Sequence, residues 1–423
     1  MSTSRFAWTD AGWTGRTLPG SILFELDVAA FTAQGTFDAA AGRLDQLVEL
    51  GVDMVELPLS GRDGGASWYA PSQPLGGPDG LRRFVDACHG RGIAVLLGVV
   101  HDARGGTRYR VPRGRPWDGA TSPPVPSPGQ LRRLVVDAGT MWLREYHLDG
   151  LRMKALPALA DERVIRVLGE LAAEVESLSG RLNRPLSLIV ESDLDDPGLV
   201  NRPAPGGYRL RDRAPTALLD LLGGAQPDCR VDFGGLHTLT TVLRSASGAG
   251  GAWASSAEPR RARVFDRPAA VGRQSVVYLH HRHAVPDPAP SYRMQRVGAM
   301  LLLAGPFTPM LRMGEEWTAA RAAGRPPAPR GMPDFYRRLV ALRKEYPELS
   351  DARLDRVQIW HGDGFLTIAR GDCAVVANLA EQRRLVAVPP WPRDVLLATH
   401  GGVTLNPDAV ELPGEAAAVI GYR

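Results

Sequence analysis

The sequence contains very little cysteine and almost no lysine. Its three cysteines, Cys88, Cys229 and Cys373, lie far apart in the 423 residues and form no CxxC pair. An odd number of widely spaced thiols predicts neither a disulfide framework nor a set of zinc ligands, so we expect reduced cysteines in a cytoplasmic protein. Of the 50 lysines and arginines, only Lys154 and Lys344 are lysine. Lysine is therefore an uncommon choice in this chain.

Long apolar runs, runs of like charge and the pattern typical of a leader peptide are also missing from the residues given. The most apolar stretch, Val297–Met310, is interrupted by Gly305, Pro306 and Pro309, so no membrane span is predicted. The first residues lack a charged region followed by an apolar one, which predicts no secretion signal. The net charge of +4 is small and the basic residues are dispersed, so we expect no nucleic-acid partner. No motif indicates a cofactor.

Short apolar segments alternate with longer segments of helical periodicity over the first 350 residues. The predicted strands are 22–28, 52–57, 93–100, 148–153, 186–190, 274–281 and 306–311, and the predicted helices include 38–50, 80–91, 130–146, 162–178 and 332–346. Near-continuous apolar strands alternating with helices indicate a parallel sheet covered on both faces. Because the pattern continues past six strands, it predicts an α/β protein with a closed (β/α)8 TIM barrel over residues 1–350.

Two regions depart from this alternation. Residues 102–129 contain six prolines and predict a short irregular insertion after the third strand. After residue 350 the helical periodicity stops, and short alternating segments follow at 357–360, 365–370, 374–378, 385–388, 395–399 and 417–422. These segments predict a second domain, a small antiparallel β-sandwich over residues 351–423.

Several motifs, in their order along the chain, resemble glycoside hydrolase family 13, the α-amylase family, and within it the maltooligosyltrehalose trehalohydrolases. They lie at 6–13, 35–52, 69–83, 191–197 and 308–317, and the resemblance runs from about residue 6 to the end. It implies a barrel with retaining glycosidase chemistry. In that chemistry one carboxylate attacks the anomeric carbon, a protonated carboxyl group donates to the leaving oxygen, and a third carboxylate orients the sugar.

The resemblance also implies a site at the carboxyl ends of the barrel strands. The family's general acid/base matches Glu191, and the arginine of its fourth-strand motif matches Arg152. In that same motif, Asp149-Gly-Leu-Arg-Met-Lys-Ala155, the nucleophilic aspartate of the family is replaced by Lys154. The catalytic pair of carboxylates is therefore incomplete.

Other family positions are changed as well. The third-strand motif reads Gly98-Val-Val-His-Asp-Ala103 and lacks the family's aspartate and histidine, and the seventh reads His280-His-Arg-His283 in place of a sugar-binding His-Asp pair. An aromatic pair matches the region of the family's stacking tyrosine. The resemblance thus implies these further ligand-binding candidates: Tyr69, Trp68, Arg282, His283, His101 and Asp102.

Lys154 is unfavourable for the family reaction because the transition state carries positive charge on the sugar. Two unit charges ~4 Å apart interact by roughly 4 kcal/mol at an effective dielectric of about 20. Exchanging attraction for repulsion costs at least ~10³ in rate, before the lost covalent intermediate is counted. Hydrolysis by the family mechanism is therefore not expected.

Three interpretations of Lys154 remain open. It forms a buried ion pair with Glu191 that fills a disused pocket, it binds a carboxylate or phosphate, or it forms a Schiff base. Four further residues are of types that bind metal ions: His101, Asp102, His281 and His283. Their spacing matches no known set of metal ligands, so we expect no metal site.

The sequence thus predicts a degenerate family 13 protein with a carbohydrate-binding, regulatory or scaffolding role near α-glucan or trehalose metabolism. Its expected partner is an α-glucan, a trehalose-like or an anionic sugar-derived small molecule. The alternatives are an enzyme with altered chemistry that uses Glu191 with Lys154 or His283, and an active trehalohydrolase. Because one barrel hosts many chemistries, fold alone does not decide between them.

Overall fold

Eight parallel strands, β1 to β8, follow the order of the chain around a closed barrel. The computed structural model describes residues 6–58, 70–100, 128–154, 162–191, 207–210, 273, 275–279, 291–316 and 331–423. The barrel strands are β1 Leu23–Glu25, β2 Met54–Pro58, β3 Ala94–Val100, β4 Gly150–Lys154, β5 Ser187–Glu191, β6 Gly207–Leu210, β7 Ser275–Val277 and β8 Thr308–Arg312. The prediction of an α/β barrel is confirmed.

One compact unit comprises Met1–Thr17, Leu23–Leu194 and Gly198–Leu210, and it contains β1 to β6. Its described helices are α1 Val28–Phe31, α2 Phe37–Ala41, α3 Leu44–Leu50, α4 Gly77–His89, α5 Pro128–Glu145 and α6 Glu162–Leu182, with a 3-10 turn at Gln73–Leu75. Helices between successive strands permit the parallel pairing, since parallel neighbours need long crossover connections.

Local hydrogen bonds explain two differences from the predicted elements. The strand predicted over 22–28 ends at Glu25 because the Asp27 carboxylate accepts from the Ala29 amide and caps α1. The helix predicted over 38–50 is two helices, because the Gly42 amide bonds back to Ala40 and Asp38 and closes α2 there. A new helix then begins at Leu44 and ends at Gly51 in the left-handed conformation.

The second unit comprises Leu18–Ile22, Asp195–Pro197 and Arg211–Arg423. Besides β7 and β8 it contains α7 Tyr292–Leu303, α8 Met332–Glu345, α9 Pro347–Ser350 and a 3-10 turn at Leu354–Arg356. Its remaining strands are β9 Val357–Gly362, β10 Phe365–Arg370, β11 Cys373–Asn378, β12 Arg384–Ala387, β13 Asp394–Ala398, β14 Thr404–Leu405, β15 Ala409–Leu412 and β16 Ala416–Gly421.

These last strands form the two antiparallel sheets of the predicted sandwich. One sheet has the order β13-β16-β11-β10-β9 and the other the order β12-β15-β14. Their inner faces share an apolar core of Ala369, Ala374, Val376, Val386, Val388, Val410, Leu412, Ala418 and Ile420. Because residues from both sheets bury each other, neither sheet has to expose an apolar face to water.

Two buried arginines hold the backbone where α7 ends. Arg343 of α8 donates to the carbonyls of Leu303, Gly305, Phe307 and Leu349. Arg370 of β10 donates to Ala304 and Leu349 and also reaches the carbonyl of Asp351. Burial lowers the pKa of Arg370 to about 10, which leaves it charged at neutral pH. The last carbonyls of a helix need such donors, and a cation there also favours the helix dipole.

Among the described helices, none combines the length and the apolar character that a membrane crossing requires.

Candidate functional site

The carboxyl ends of β4 and β5 carry the two residues on which the predicted site depends. Lys154 is the last residue of β4 and Glu191 the last residue of β5. In the parallel register, Lys154 lies opposite Val100 of β3 and Glu191 opposite Leu210 of β6. For both residues it is the backbone that the structure describes. Their backbones lie at the barrel end where active sites of this fold are found.

Arg152 lies two residues before Lys154, and alternation places both residues on one face of β4. Its Nη1 donates to Glu56 Oε2 at 2.6 Å and to Glu25 Oε2 at 3.2 Å. Glu25 and Glu56 are register partners on β1 and β2. Since β4 is hydrogen-bonded to neither of these strands, the contact crosses the inside of the barrel. We call Glu25, Glu56 and Arg152 the lumen triad.

The lumen triad is almost completely removed from water. Arg152 is 3% exposed, Glu25 7% and Glu56 0%. Buried charges persist only when they are paired and hydrogen-bonded, and removal of one partner typically costs about 3–5 kcal/mol. Within these contacts two carboxylates face one guanidinium, and each of the three residues has further interactions besides.

This pairing bears on the ligand-binding role that was predicted for Arg152. The resemblance implies a ligand-binding role for Arg152, and the structure adds that its Nη1 contacts two carboxylates of the protein. Sequence comparison missed Glu25 and Glu56 because neither belongs to a motif with a catalytic role. A signal was present, since each is a lone charge within an apolar strand and therefore needs a buried partner.

A second charged group lies at the opposite, amino end of the strands. Asp149 immediately precedes β4 and is 1% exposed. Its Oδ1 accepts from Trp13 Nε1 at 2.8 Å and from Arg184 Nη1 at 2.5 Å. Its Oδ2 accepts from the Val95 amide at 2.8 Å and contacts His89 Nε2 at 2.9 Å. We call Asp149, Arg184, His89, Asp10 and His147 the floor cluster.

His89 joins two carboxylates of the floor cluster. Its Nε2 contacts Asp149, and its Nδ1 lies 2.8 Å from Asp10 Oδ2. Each ring nitrogen of His89 therefore has a carboxylate oxygen as its hydrogen-bond partner. Trp13 stacks on this ring with the centroids 4.6 Å apart. The fully buried ring is thus held between two carboxyl groups and covered by an aromatic face.

Asp10 ties the amino-terminal segment to the floor cluster. Besides His89 it contacts His147 Nδ1 at 2.8 Å, and Trp8 stacks on His147 with centroids 3.8 Å apart. Burial alone raises the pKa of Asp10, but the hydrogen bonds of His147 and His89 outweigh it and lower the pKa below its ordinary value. Because polar networks at this end of a TIM barrel serve stability, we assign the floor cluster to folding rather than to chemistry.

An apolar cleft near β1 and β2 is not the barrel interior. It is lined by residues of which Leu26, Leu57 and Leu97 belong to or adjoin the strands. Leu57 directly follows Glu56, so alternation turns it away from the lumen triad. The cleft therefore lies on the helix-facing side of the sheet, and among its described lining residues Asp27 is the one charged group.

The other predicted site residues lie outside the described part of the chain. They are Tyr69, Trp68, Arg282, His283, His101 and Asp102, together with His281 and most of the proline-rich segment. Their roles stay predictions. Within the residues that the structure does describe, no three His, Cys, Asp or Glu side chains converge as a metal-binding group.

The amino-acid sequence is similar to named enzymes over nearly its whole length. It is 35% identical to malto-oligosyltrehalose trehalohydrolase of Arthrobacter ramosus, covering 99% of this chain and 85% of the relative. The alignment extends over 502 positions, more than this chain has residues, so the relative contains internal segments that are missing here. A family described as "Domain of unknown function (DUF3459)" matches residues 352–419, in the C-terminal sheets.

Solved structures agree with this on the level of the fold. A 1.4 Å crystal structure of an α-amylase-type protein from Salmonella typhimurium matches with a TM-score of 0.75 at 22% identity, covering 100% of this chain and 85% of the other. An α-amylase of Geobacillus thermoleovorans in complex with acarbose matches with a TM-score of 0.69 at 18% identity, over 96% and 99% of the two chains.

Proposed function

Because this chain belongs to the malto-oligosyltrehalose trehalohydrolase family within glycoside hydrolase family 13, we propose that it is a catalytically degenerate member that binds an α-glucan or a trehalose-like oligosaccharide. The binding site lies at the carboxyl ends of the barrel strands and includes Arg152, Lys154 and Glu191. The protein acts as a carbohydrate-binding, regulatory or scaffolding component of α-glucan or trehalose metabolism.

One observation carries this proposal: Lys154 ends β4, where the family has its nucleophilic aspartate. An ammonium group repels the positively charged sugar of the transition state and cannot form the covalent glycosyl intermediate of a retaining enzyme. Lysine occurs at only one other position of the chain, Lys344, so a chance exchange to this residue type is a poor explanation.

The relatives' names support the ligand class. They name malto-oligosyltrehalose, a chain of α-linked glucose units that ends in a trehalose unit. Tyr69 and Trp68 remain candidates to stack on a sugar ring, since aromatic faces pack well against the apolar face of a sugar.

A paired assay of turnover and binding tests the proposal. The purified protein is incubated with maltotriosyltrehalose, maltotriose and trehalose, and products are separated by chromatography while the melting temperature is measured with each sugar. We expect no product, and an increase in melting temperature with at least one oligosaccharide. Absence of any binding contradicts the ligand class, and turnover contradicts the loss of catalysis.

The two lysines permit a second test at residue level. Mild acylation labels amines, and peptide mass spectrometry reads Lys154 and Lys344 separately in one sample. We expect the oligosaccharide to reduce labelling of Lys154 and to leave labelling of Lys344 unchanged. Lys344, on the exposed side of α8, is the internal control. Labelling of Lys154 that is the same with and without a bound sugar contradicts its place in the site.

An active hydrolase is the second candidate, and the retained Glu191 at the end of β5 favours it. Its test is Glu191→Gln, which removes the proton donor and keeps the size of the side chain. Turnover in the wild-type protein that this variant abolishes establishes catalysis and refutes the degenerate interpretation. Turnover that survives the substitution points to altered chemistry elsewhere in the site.

We also propose a cytoplasmic location and a boundary between two domains near residue 350. Buried free thiols at Cys88 and Cys373 support the location, since reduced cysteines persist in that compartment. The change at Ser350 from helix α9 to successive antiparallel strands supports the boundary.

A further inference from the structure

We propose that Trp391 is the centre of a second sugar-binding site, on the surface of the C-terminal sheets, where its indole ring stacks on a glucose unit of an α-glucan. Trp391 lies in the connection between β12 and β13. The site uses none of the residues at the carboxyl ends of the barrel strands. Its ligand class rests on the proposed function, whereas its position rests on the geometry of Trp391 alone.

Trp391 is the most exposed large hydrophobic residue in the part of the chain that the structure describes, with 74% of its surface open to solvent. Exposure by itself carries little weight, since single apolar residues are common on protein surfaces. Trp360 on β9 and Leu385 on β12 are exposed to 41% and 64%, and both lie on regular strands. Trp391 differs from these two residues in its backbone.

The backbone of Trp391 lies in the left-handed region, with a φ of +66°. This region is unfavourable for residues with a Cβ, and a bulky residue rarely adopts it. Pro392 follows directly, and a proline pushes the residue before it towards an extended conformation. Glycine would relieve the strain. A strained backbone that presents an indole to solvent does not stabilise the fold, so its combination with exposure indicates a binding role.

Hydrogen bonds hold the loop that carries this ring. The Trp391 amide donates to the carbonyl of Pro407 at 2.6 Å, and the amides of Val388 and Arg393 are hydrogen-bonded on either side of it. Three of the four residues 389–392 are proline, which fixes further backbone angles. A ligand that stacks on the indole therefore orders little of the protein, and such preorganisation favours binding.

The surroundings of Trp391 fit a sugar better than a protein surface. Arg393 and Asp394 follow it closely, Asp408 follows its hydrogen-bond partner Pro407, and all three charged residues are exposed. A stable protein interface has a core of large apolar residues and buries about 800 Å² on each side. A glucose unit instead offers one apolar face to an aromatic ring, and its hydroxyl groups bind polar side chains around that ring. One indole among charged side chains therefore favours a sugar.

NMR of protein with nitrogen-labelled tryptophan tests the site, because each of the nine tryptophans has one indole N–H group. The signal of Trp391 is the one that disappears in Trp391→Gly. With maltoheptaose as the probe, we expect a saturable shift of this signal with a Kd of about 1 mM, since stacking on one sugar ring involves few atoms. The signal of Trp360 should not shift, because β9 and β13 are the opposite edges of their sheet.

Two variants separate binding from stability. Trp391→Gly removes the ring and relieves the backbone, so we expect glycogen to retard it roughly tenfold less in affinity electrophoresis. Its melting temperature should equal or exceed that of the wild-type protein. The matched control is Trp360→Ala, which removes an exposed tryptophan from a regular strand and should leave the retardation by glycogen unchanged.

Three results would overturn the proposal. The first is a Trp391 signal that maltoheptaose does not shift. The second is a lower melting temperature of Trp391→Gly, because the ring would then belong to the packing of the fold. The third is a wild-type dimer in sedimentation that becomes a monomer in Trp391→Gly, because the ring would then contact a second copy of the chain.

Labelling of Lys154 keeps this site apart from the proposed function. Protection of Lys154 by maltoheptaose without a shift of Trp391 supports the barrel site and refutes the surface site. A shift of Trp391 without protection of Lys154 supports the surface site and contradicts the barrel site.

Discussion

Replacing Asp149 by asparagine keeps the size of the side chain but changes what it offers to its four hydrogen-bond donors. The wild-type carboxylate accepts from Trp13, Arg184 and the Val95 amide, and it contacts Nε2 of the His89 ring. An asparagine oxygen can replace only one carboxylate oxygen. Its NH2 group then faces either Trp13 and Arg184 or Val95 and His89, and donors oppose donors.

The cost follows from the burial of these groups. Asp149 is fully enclosed and its partner Arg184 is almost so, and removal of the carboxylate charge leaves this buried guanidinium without its charge partner. Breaking such a pair costs about 3–5 kcal/mol, against a total stability of about 5–15 kcal/mol for a typical protein. With ~2–4 °C per kcal/mol for large domains, the melting temperature should fall by the order of 10 °C.

Differential scanning fluorimetry at neutral pH measures this change, and Asp38→Asn provides the matched control. Asp38 also accepts from an arginine, Arg83, with two hydrogen bonds of 2.8 Å, but both side chains are about half exposed. An exposed pair contributes at most about 1 kcal/mol. If Asp149→Asn lowers the melting temperature no more than Asp38→Asn does, the floor cluster does not stabilise the fold as we propose.

Three further predictions concern pH, backbone packing and catalysis. Because the pKa of Asp10 is lowered in the folded protein, this carboxylate stabilises the fold fully above its ordinary pKa, and the stabilisation is lost as the pH falls through the folded pKa. Asp10→Asn should therefore lower the free energy of unfolding at pH 7. It should also weaken the dependence of that free energy on acid pH, as measured by urea titrations. A Cβ on Gly150 would stand 2.4 Å from the Ser187 carbonyl oxygen, so Gly150→Ala should lower the melting temperature by several degrees. The control is Gly169→Ala on α6, because a Cβ there has no atom within 4 Å and should leave the melting temperature nearly unchanged. Lys154→Asp alone should not restore hydrolysis of maltotriosyltrehalose, since the third- and seventh-strand motifs are changed as well; detectable product in that variant would refute this.

Much of the fold could be predicted from the sequence because the barrel strands are apolar and bounded by turn residues. Most predicted strands of the C-terminal sheets agree with the structure to within a residue or two, since they alternate or are buried on both faces. Strands β14 and β15 were not predicted. The first has two residues, and the second lies between Pro407 and Pro413, so its strand character comes from pairing with β12 rather than from its own pattern.

The candidate site was less predictable, for a reason that is also physical. Motif comparison identifies the positions of Arg152, Lys154 and Glu191 along the chain, but not which charges meet inside the barrel. The partners of Arg152 come from β1 and β2, 127 and 96 residues away in sequence. A lone charge in an apolar strand signals that Glu25 and Glu56 each need a buried partner, but only the curled sheet shows that this partner is Arg152.

The two arginines that donate to the carbonyls at the end of α7 limit whether the C-terminal sheets could be replaced by those of a homologue. Arg370 lies on a strand of the C-terminal sheets, yet it donates to the carbonyls of Ala304 and Leu349. A chain cut after residue 350 would lose this donor and leave a helix end poorly satisfied. The C-terminal sheets therefore cannot be exchanged freely between homologues. A hybrid protein that carries the sheets of another relative should be stable only if that relative has an arginine at the position of Arg370.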